Sequence, residues 1–206
     1  MSKPSLAALQ ISRPIASLGA MLIACAAAAP AATAQSLPPG YSISDPIATA
    51  SGRFVEASVQ AMSAIPCAKT WEVFTDFQGL ASFLPGIEAS SVTSESQGGR
   101  KIIIHQAGTA SIGMIRKRYS SDRELTLNPT ESIHSKSLPS DEAQISSSTT
   151  FIPHGSSCEV SYGSNVETPA WAPSFMAASL AKKMAKQQMA AMLLEVARRN
   201  PAAATP

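Results

Sequence analysis

Clusters of turn-forming residues cut the second half of this chain into apolar-patterned segments, and their spacing constrains the fold more than any other feature. From Ile87 onward, "IEASSVTSES", "KIIIHQAG", "GMIRKRYSSDRELT", "ESIHSKSL", "QISSSTTFIP" and "CEVSYGSNVET" follow one another. Between them stand "QGGR", "NPTE", "LPSDE" and "PHGSS", each loaded with Gly, Pro, Asn, Asp or Ser. Strand candidates recurring every ~10 to 16 residues predict antiparallel neighbours joined by short loops. In "QGGR", Gly98 and Gly99 suit the positive φ of a hairpin turn.

Upstream, "FVEASVQAMSAI" alternates Val55, Ala57, Val59 and Ala61 against Glu56, Ser58 and Gln60. That period of two marks a half-buried strand, which Pro66 ends. Gln35 to Ser51, with "LPPG" and "SDP", reads as a linker. After the first strand, "KTWEVFTDFQGLASFLPG" places Trp71, Phe74 and Phe77 at spacing three, so one side of a short helix is apolar. Asp76 stands where it can cap a second helical turn, "QGLASFL", which Pro85-Gly86 stops.

The chain closes on a long helix. Pro173 suits the first helical position. Met176, Leu180 and Met184 recur at spacing four, and Met189, Met192, Leu193 and Val196 continue the apolar side. Lys182, Lys183 and Lys186 cover the opposite side, Arg198 and Arg199 suit the C-terminal dipole, and Asn200-Pro201 ends it. At about 25 residues it would run roughly 37 Å, enough to cross a whole sheet. The predicted class is therefore α+β: one strand, two short helices, about six more strands and one long helix. A strongly curved sheet closed by such a helix leaves room for a ligand between them.

The N-terminal segment points to export. Met1 to Ala34 carries only Lys3 and Arg13 as charges, then an apolar run interrupted by Pro30 and the small-residue end "ATAQS". This predicts a secretory signal peptide at 1–34, with the domain in the periplasm. The rival is "LIAC", which resembles a lipobox and would anchor the chain through a lipid on Cys25. Without residues 1–34 the basic count falls from 16 to 14 against 14 acidic residues, a formal charge of zero. A nucleic-acid partner is not expected from that balance. Cys67 and Cys158 remain, as a disulfide in an oxidising compartment or as two separate buried thiols.

The segment "WEVFTDFQGLASFLP", Trp71 to Pro85, resembles the START-like superfamily, in particular its bacterial polyketide cyclase/dehydrase and ubiquinone-binding group. The shared features are a Trp, an Asp five residues later and an apolar-Pro end. "SSV" at Ser90–Val92, "HQAG" at His105–Gly108 and the ending "LLEVARRN" are also similar, and the likeness spans roughly residues 53–200. The Ser-rich stretch between "ESIHSKS" and "STTF" departs from the Gly- and Trp-containing strands of relatives. The resemblance implies a helix-grip fold over 52–200, about seven antiparallel strands around the C-terminal helix; residues 201–206 are expected to be a short disordered tail. It also implies that the first strand pairs with the last, bringing Cys67 to Cys158 as a disulfide. Trp71 and Phe74 would then anchor the short helices on the sheet, with Phe83 and Leu84 at the cavity rim.

Catalytic motifs are missing from the sequence. There is no Gly-rich phosphate loop, His-Glu-x-x-His helix, Gly-x-Ser-x-Gly elbow or Cys-x-x-Cys, and His105, His134 and His154 stand far apart. No metal or cofactor is expected. The expected occupant is an apolar small molecule, a lipid, isoprenoid or quinone, and contact with a membrane surface stays open. Its candidate contacts are Phe83, Leu84, Ile103, His105, Tyr119, Phe151, Met176, Leu180 and Met184. His105 reads either as a polar group in the cavity or as a surface residue at a strand end. Tyr119 is expected inward, opposite Arg116 and Arg118 on its strand. The methionines of the last helix, Met189 and Met192 included, suit an irregular apolar surface. The alternatives are a cyclase/dehydrase-type enzyme using His105, Tyr119 or Glu159 as acid or base, and an interaction domain with a filled core.

Overall fold

The computed structural model describes residues 36–112, 115–141, 144–168 and 174–201. The signal peptide expected at 1–34 with Cys25, the helix-starting Pro173 and residues 202–206 lie outside the described residues.

Among the described residues nine strands form one antiparallel sheet, ordered β1-β3-β9-β8-β7-β6-β5-β4, with β2 also on β3. They run β1 Ser42–Ile43, β2 Ile47–Ser51, β3 Phe54–Ser63, β4 Ile87–Ser96, β5 Lys101–Ile112, β6 Ile115–Asn128, β7 Ser132–Ser137, β8 Ile145–His154 and β9 Ser157–Glu167. Helix α1 spans Cys67–Phe74, a 3-10 turn follows at Leu80–Ser82, and α2 covers Ser174–Arg199. This is the helix-grip arrangement: a curved sheet holding one long helix. The expected linker at 35–51 is corrected. It supplies β1 and β2, which cover the edge of β3 that β9 leaves free, from Ser42↔Met62 to Ser51↔Phe54. Gly52, at φ +57°, makes the turn from β2 back into β3.

Alternation decides which side of each strand meets α2. On β3, Val55, Ala57, Val59, Ala61 and Ser63 are buried while the residues between them are open or half-open. Opposite them on β9 stand the buried Cys158 and Val160. Ile102 and Ile104 of β5, Leu125 of β6 and Ile133 of β7 continue this inner face. Ala185, Met189, Leu193, Val196 and Ala197 of α2 pack down on it. Burying each Leu or Val contributes about 1.5–3 kcal/mol before entropy.

The strand expected to come first, β3, does pair with the last, β9, in the register Ser63↔Cys158, and Cys67 at the start of α1 reaches Cys158 in a disulfide with a Cα–Cα distance of 4.8 Å. Trp71 and Phe74 of α1 meet Phe151 of β8 edge-on, with ring centroids 5.2 and 5.3 Å away. Those contacts seat α1 on the sheet.

Asp76 fastens the corner and the far end of α2 together. Its Oδ1 accepts the Gly79 N–H at 3.0 Å, the cap expected of it, and its Oδ2 accepts a bond from Arg199 Nη2 at 2.7 Å. Arg199 also donates to the buried Glu195 at 2.7 Å, and Arg198 grips the same carboxylate through two nitrogens, each at 2.6 Å. The Arg198 hydrogen bonds, more than burial opposes, pull the Glu195 carboxyl down to about 2. Among the described residues, no helix is long and apolar enough to cross a membrane.

Candidate functional site

Between the sheet and α2 lies a cavity of about 160 Å³. Phe74, Phe77, Leu80, Leu84 and Ile87 close one side; Ala185, Gln188, Met189 and Met192 of α2 form the roof. Its floor is the inner face of the sheet, with Ile104, Leu125 and Ile133 as apolar positions. Into this surface project Gln106, Arg123, Ser135, Ser147, Thr149 and Tyr162.

Arg123 is the exceptional member of that set. Its Nε is buried without a hydrogen-bond partner, and so is the Oγ of Ser135. The adjacent Glu124 points to the other face, where Lys101 holds it at 2.9 Å and Lys136 at 3.0 Å. Among the described residues no carboxylate pairs with Arg123. A buried polar atom without a partner is costly, and a polar group that reaches it from the cavity recovers the cost. The Arg123 charge also acts on Tyr119: burial raises the phenol above its ordinary pKa, and Arg123 partly opposes this.

The expected contact residues distribute unevenly. Leu84 lines the cavity. Phe83 lies beside it under the Arg199 guanidinium, 5.8 Å from the ring centre, and Phe151 is buried in the aromatic contact with Trp71 and Phe74. Tyr119 shares the inner parity of Arg123 on β6 but lies outside the cavity lining, and it donates to the Gly86 carbonyl at 3.2 Å. The strand crossing there requires Gly108, because a Cβ at that position would collide with the Gly86 carbonyl oxygen.

Ile103 and His105 are corrected: they face the opposite side of the sheet. The buried parity of β5 is Ile102, Ile104, Gln106 and Gly108. The polar position inside is therefore Gln106, one residue along from the His. The stripe on α2 is also shifted. Met176 is 42% exposed, and Leu180 and Met184 are half-buried outside the lining, which begins at Ala185 and continues through Met189 and Met192.

On the convex face, His105 Nδ1 meets Asp122 Oδ1 at 2.8 Å and its Nε2 meets Ser120 Oγ at 3.3 Å. The order of groups is that of a nucleophilic triad, yet it lies on a partly exposed sheet face outside the cavity lining. Glu159 also faces outward, where His154 Nε2 lies 3.1 Å from its carboxylate. Thus neither His105 nor Glu159 offers an acid or base to a molecule in the cavity. Among the described residues no three His, Cys, Asp or Glu side chains gather as a metal site.

Residues 63–193 match the family model described as polyketide cyclase / dehydrase and lipid transport. The chain belongs to that family. Solved structures of the same fold include the Zhui aromatase/cyclase from Streptomyces sp. R1128, with a TM-score of 0.61 and 16% identity over 71% of this chain and 95% of that one. A START superfamily protein from Mycobacterium smegmatis gives 0.58 and 17% over 72% and 100%. A STAR-related lipid transfer protein from Xanthomonas axonopodis gives 0.56 and 11% over 76% and 98%. A comparison with curated proteins returned no match. At these identities the structural neighbours establish the fold.

Arg123 was not among the residues singled out from the sequence. The signal was present: Arg123, Leu125 and Leu127 alternate along β6, so a basic residue shares a face with two leucines.

Proposed function

We propose that this protein binds an apolar small molecule with one polar end in the cavity between sheet and α2, and carries it outside the cytoplasm. The observation that carries this reading is the pair of unpartnered buried polar atoms, Arg123 Nε and Ser135 Oγ, facing an otherwise largely apolar enclosure. Apolar walls supply the driving force, at about 25 cal/mol per Å² buried, and the guanidinium fixes orientation. The kinship with lipid-transport and cyclase proteins supports an apolar ligand, and the Cys67–Cys158 disulfide supports an oxidising compartment. Carriage is favoured over cyclase/dehydrase chemistry because two of its three acid–base candidates, His105 and Glu159, are engaged on the outer face.

Native mass spectrometry of the protein purified from its own periplasm, followed by organic extraction, tests this. A stoichiometric apolar adduct is expected, and Arg123→Leu should lower its occupancy by about tenfold or more, the worth of a charge-assisted hydrogen bond. A bare protein mass in both, with no uptake of an added apolar probe, would overturn the reading.

A further inference from the structure

A second recess lies beyond the cavity, toward the β4–β5 hairpin. It measures about 380 Å³, with Trp71, Val92, Ile102 and Leu127 as its apolar lining and Glu95, Arg100 and Pro129 at an exposed rim. Phe77 is the one residue that lines both spaces. Their floors are one surface: Ile104 and Ile102 follow each other on the inner parity of β5, as Arg123, Leu125 and Leu127 do on β6. From Arg123 to Leu127 that surface runs about 13 Å at ~3.3 Å per residue.

We propose that the recess is the tail subsite for an unbranched carboxylate amphiphile whose head pairs with Arg123, and that Phe77 is the partition that sets chain length. This rests on the cavity being the ligand site. The cavity alone is below the roughly 300–1,000 Å³ of ordinary small-molecule sites, and joined to the recess it falls within that range. A rigid ring system would have to fit on one side of Phe77, whereas a flexible chain can thread past it. Phe77 is buried and lines both spaces, so its ring must turn aside for a chain to pass; it lies between the end of α1 and the 3-10 turn, in neither helix. A carboxylate at Arg123 would satisfy the buried Nε, and Ser135 can donate its hydroxyl to the same group.

The test measures binding of straight-chain carboxylates from hexanoate to palmitate to wild type, Phe77→Ala and Leu127→Trp. Native mass spectrometry and displacement of N-phenyl-1-naphthylamine supply the readouts. In wild type, affinity should rise about fourfold per added methylene until the chain reaches Phe77, and less steeply beyond it. Phe77→Ala should strengthen the long chains relative to hexanoate by about fifteenfold, the worth of two methylenes. Leu127 lies outside the cavity lining, so Leu127→Trp fills the recess and should remove the long-chain gain relative to hexanoate. It carries the test if Phe77→Ala folds poorly. Identical chain-length profiles in the folded variants and wild type would overturn the proposal. Displaceable naphthylamine with no carboxylate binding would overturn the ligand class and leave the cavity reading standing; failure of both ligands to bind would overturn both.

Discussion

From Ala185 to Arg199 the last helix buries Ala185, Met189, Leu193, Val196 and Ala197, and Glu195 and Arg199 tie its end to the domain. From Met176 to Met184 no side chain is buried, although Met176, Leu180 and Met184 are just as apolar. The later half packs on the inner strands, and its end is held through Arg199 and Asp76. Burial, and with it stability, therefore concentrates at the C-terminal end of the helix.

The largest effect should come from the anchored end. Replacing Cys67 and Cys158 together by Ser releases a bridge across 91 residues of sequence, worth about 4–5 kcal/mol in the chain-entropy account. Denaturant unfolding should show that loss, and amide exchange in the later half of α2 should rise toward that of the earlier half. Next, Leu193→Ala removes a fully buried side chain and should cost about 3 kcal/mol, against less than about 0.5 kcal/mol for Met176→Ala, which is 42% exposed. Equal costs at the two positions would erase the contrast between the halves.

The same contrast explains what could be read from the sequence. Strands with strict alternation, such as β3, and turns with paired glycines, such as Gly98-Gly99, were legible because local chemistry and final environment agree. The capping of the corner by Asp76 was legible for the same reason. β1 and β2 were not, since two and five residues beside Pro46 carry little period of their own and gain order by pairing with β3. Three consecutive isoleucines, 102 to 104, hide the parity of β5, so His105 and Gln106 could exchange faces. On α2 the apolar residues outnumber the positions that can be buried. Only the packing against the sheet decides that the lining begins at Ala185.

Acid should loosen the anchored end first. Glu195 has a folded-state pKa of about 2 against an ordinary value of 4.5, so its stabilisation is complete above pH 4.5 and is lost as pH falls toward 2. Solvent around Arg198, whose side chain is 70% exposed, discounts the effect to about 1–2 kcal/mol. Glu195→Gln should flatten the pH dependence of unfolding in that window. An unchanged acid limb in the variant would show that other carboxylates dominate it.

The smallest effects separate the two roles of Asp76. Asp76→Asn keeps an oxygen for the Gly79 N–H but removes the charge opposite Arg199, a partly exposed pair worth about 0.5–1 kcal/mol. Asp76→Ala removes the cap as well, adding about 1 kcal/mol. Urea midpoints for wild type, Asn and Ala should therefore descend in two steps. If Asn and Ala unfold together, the cap contributes nothing and Asp76 serves only to hold Arg199. If Asn behaves as wild type, the ion pair is dispensable, and α2 is held at its end by Glu195 and by the burial of Leu193 and Val196.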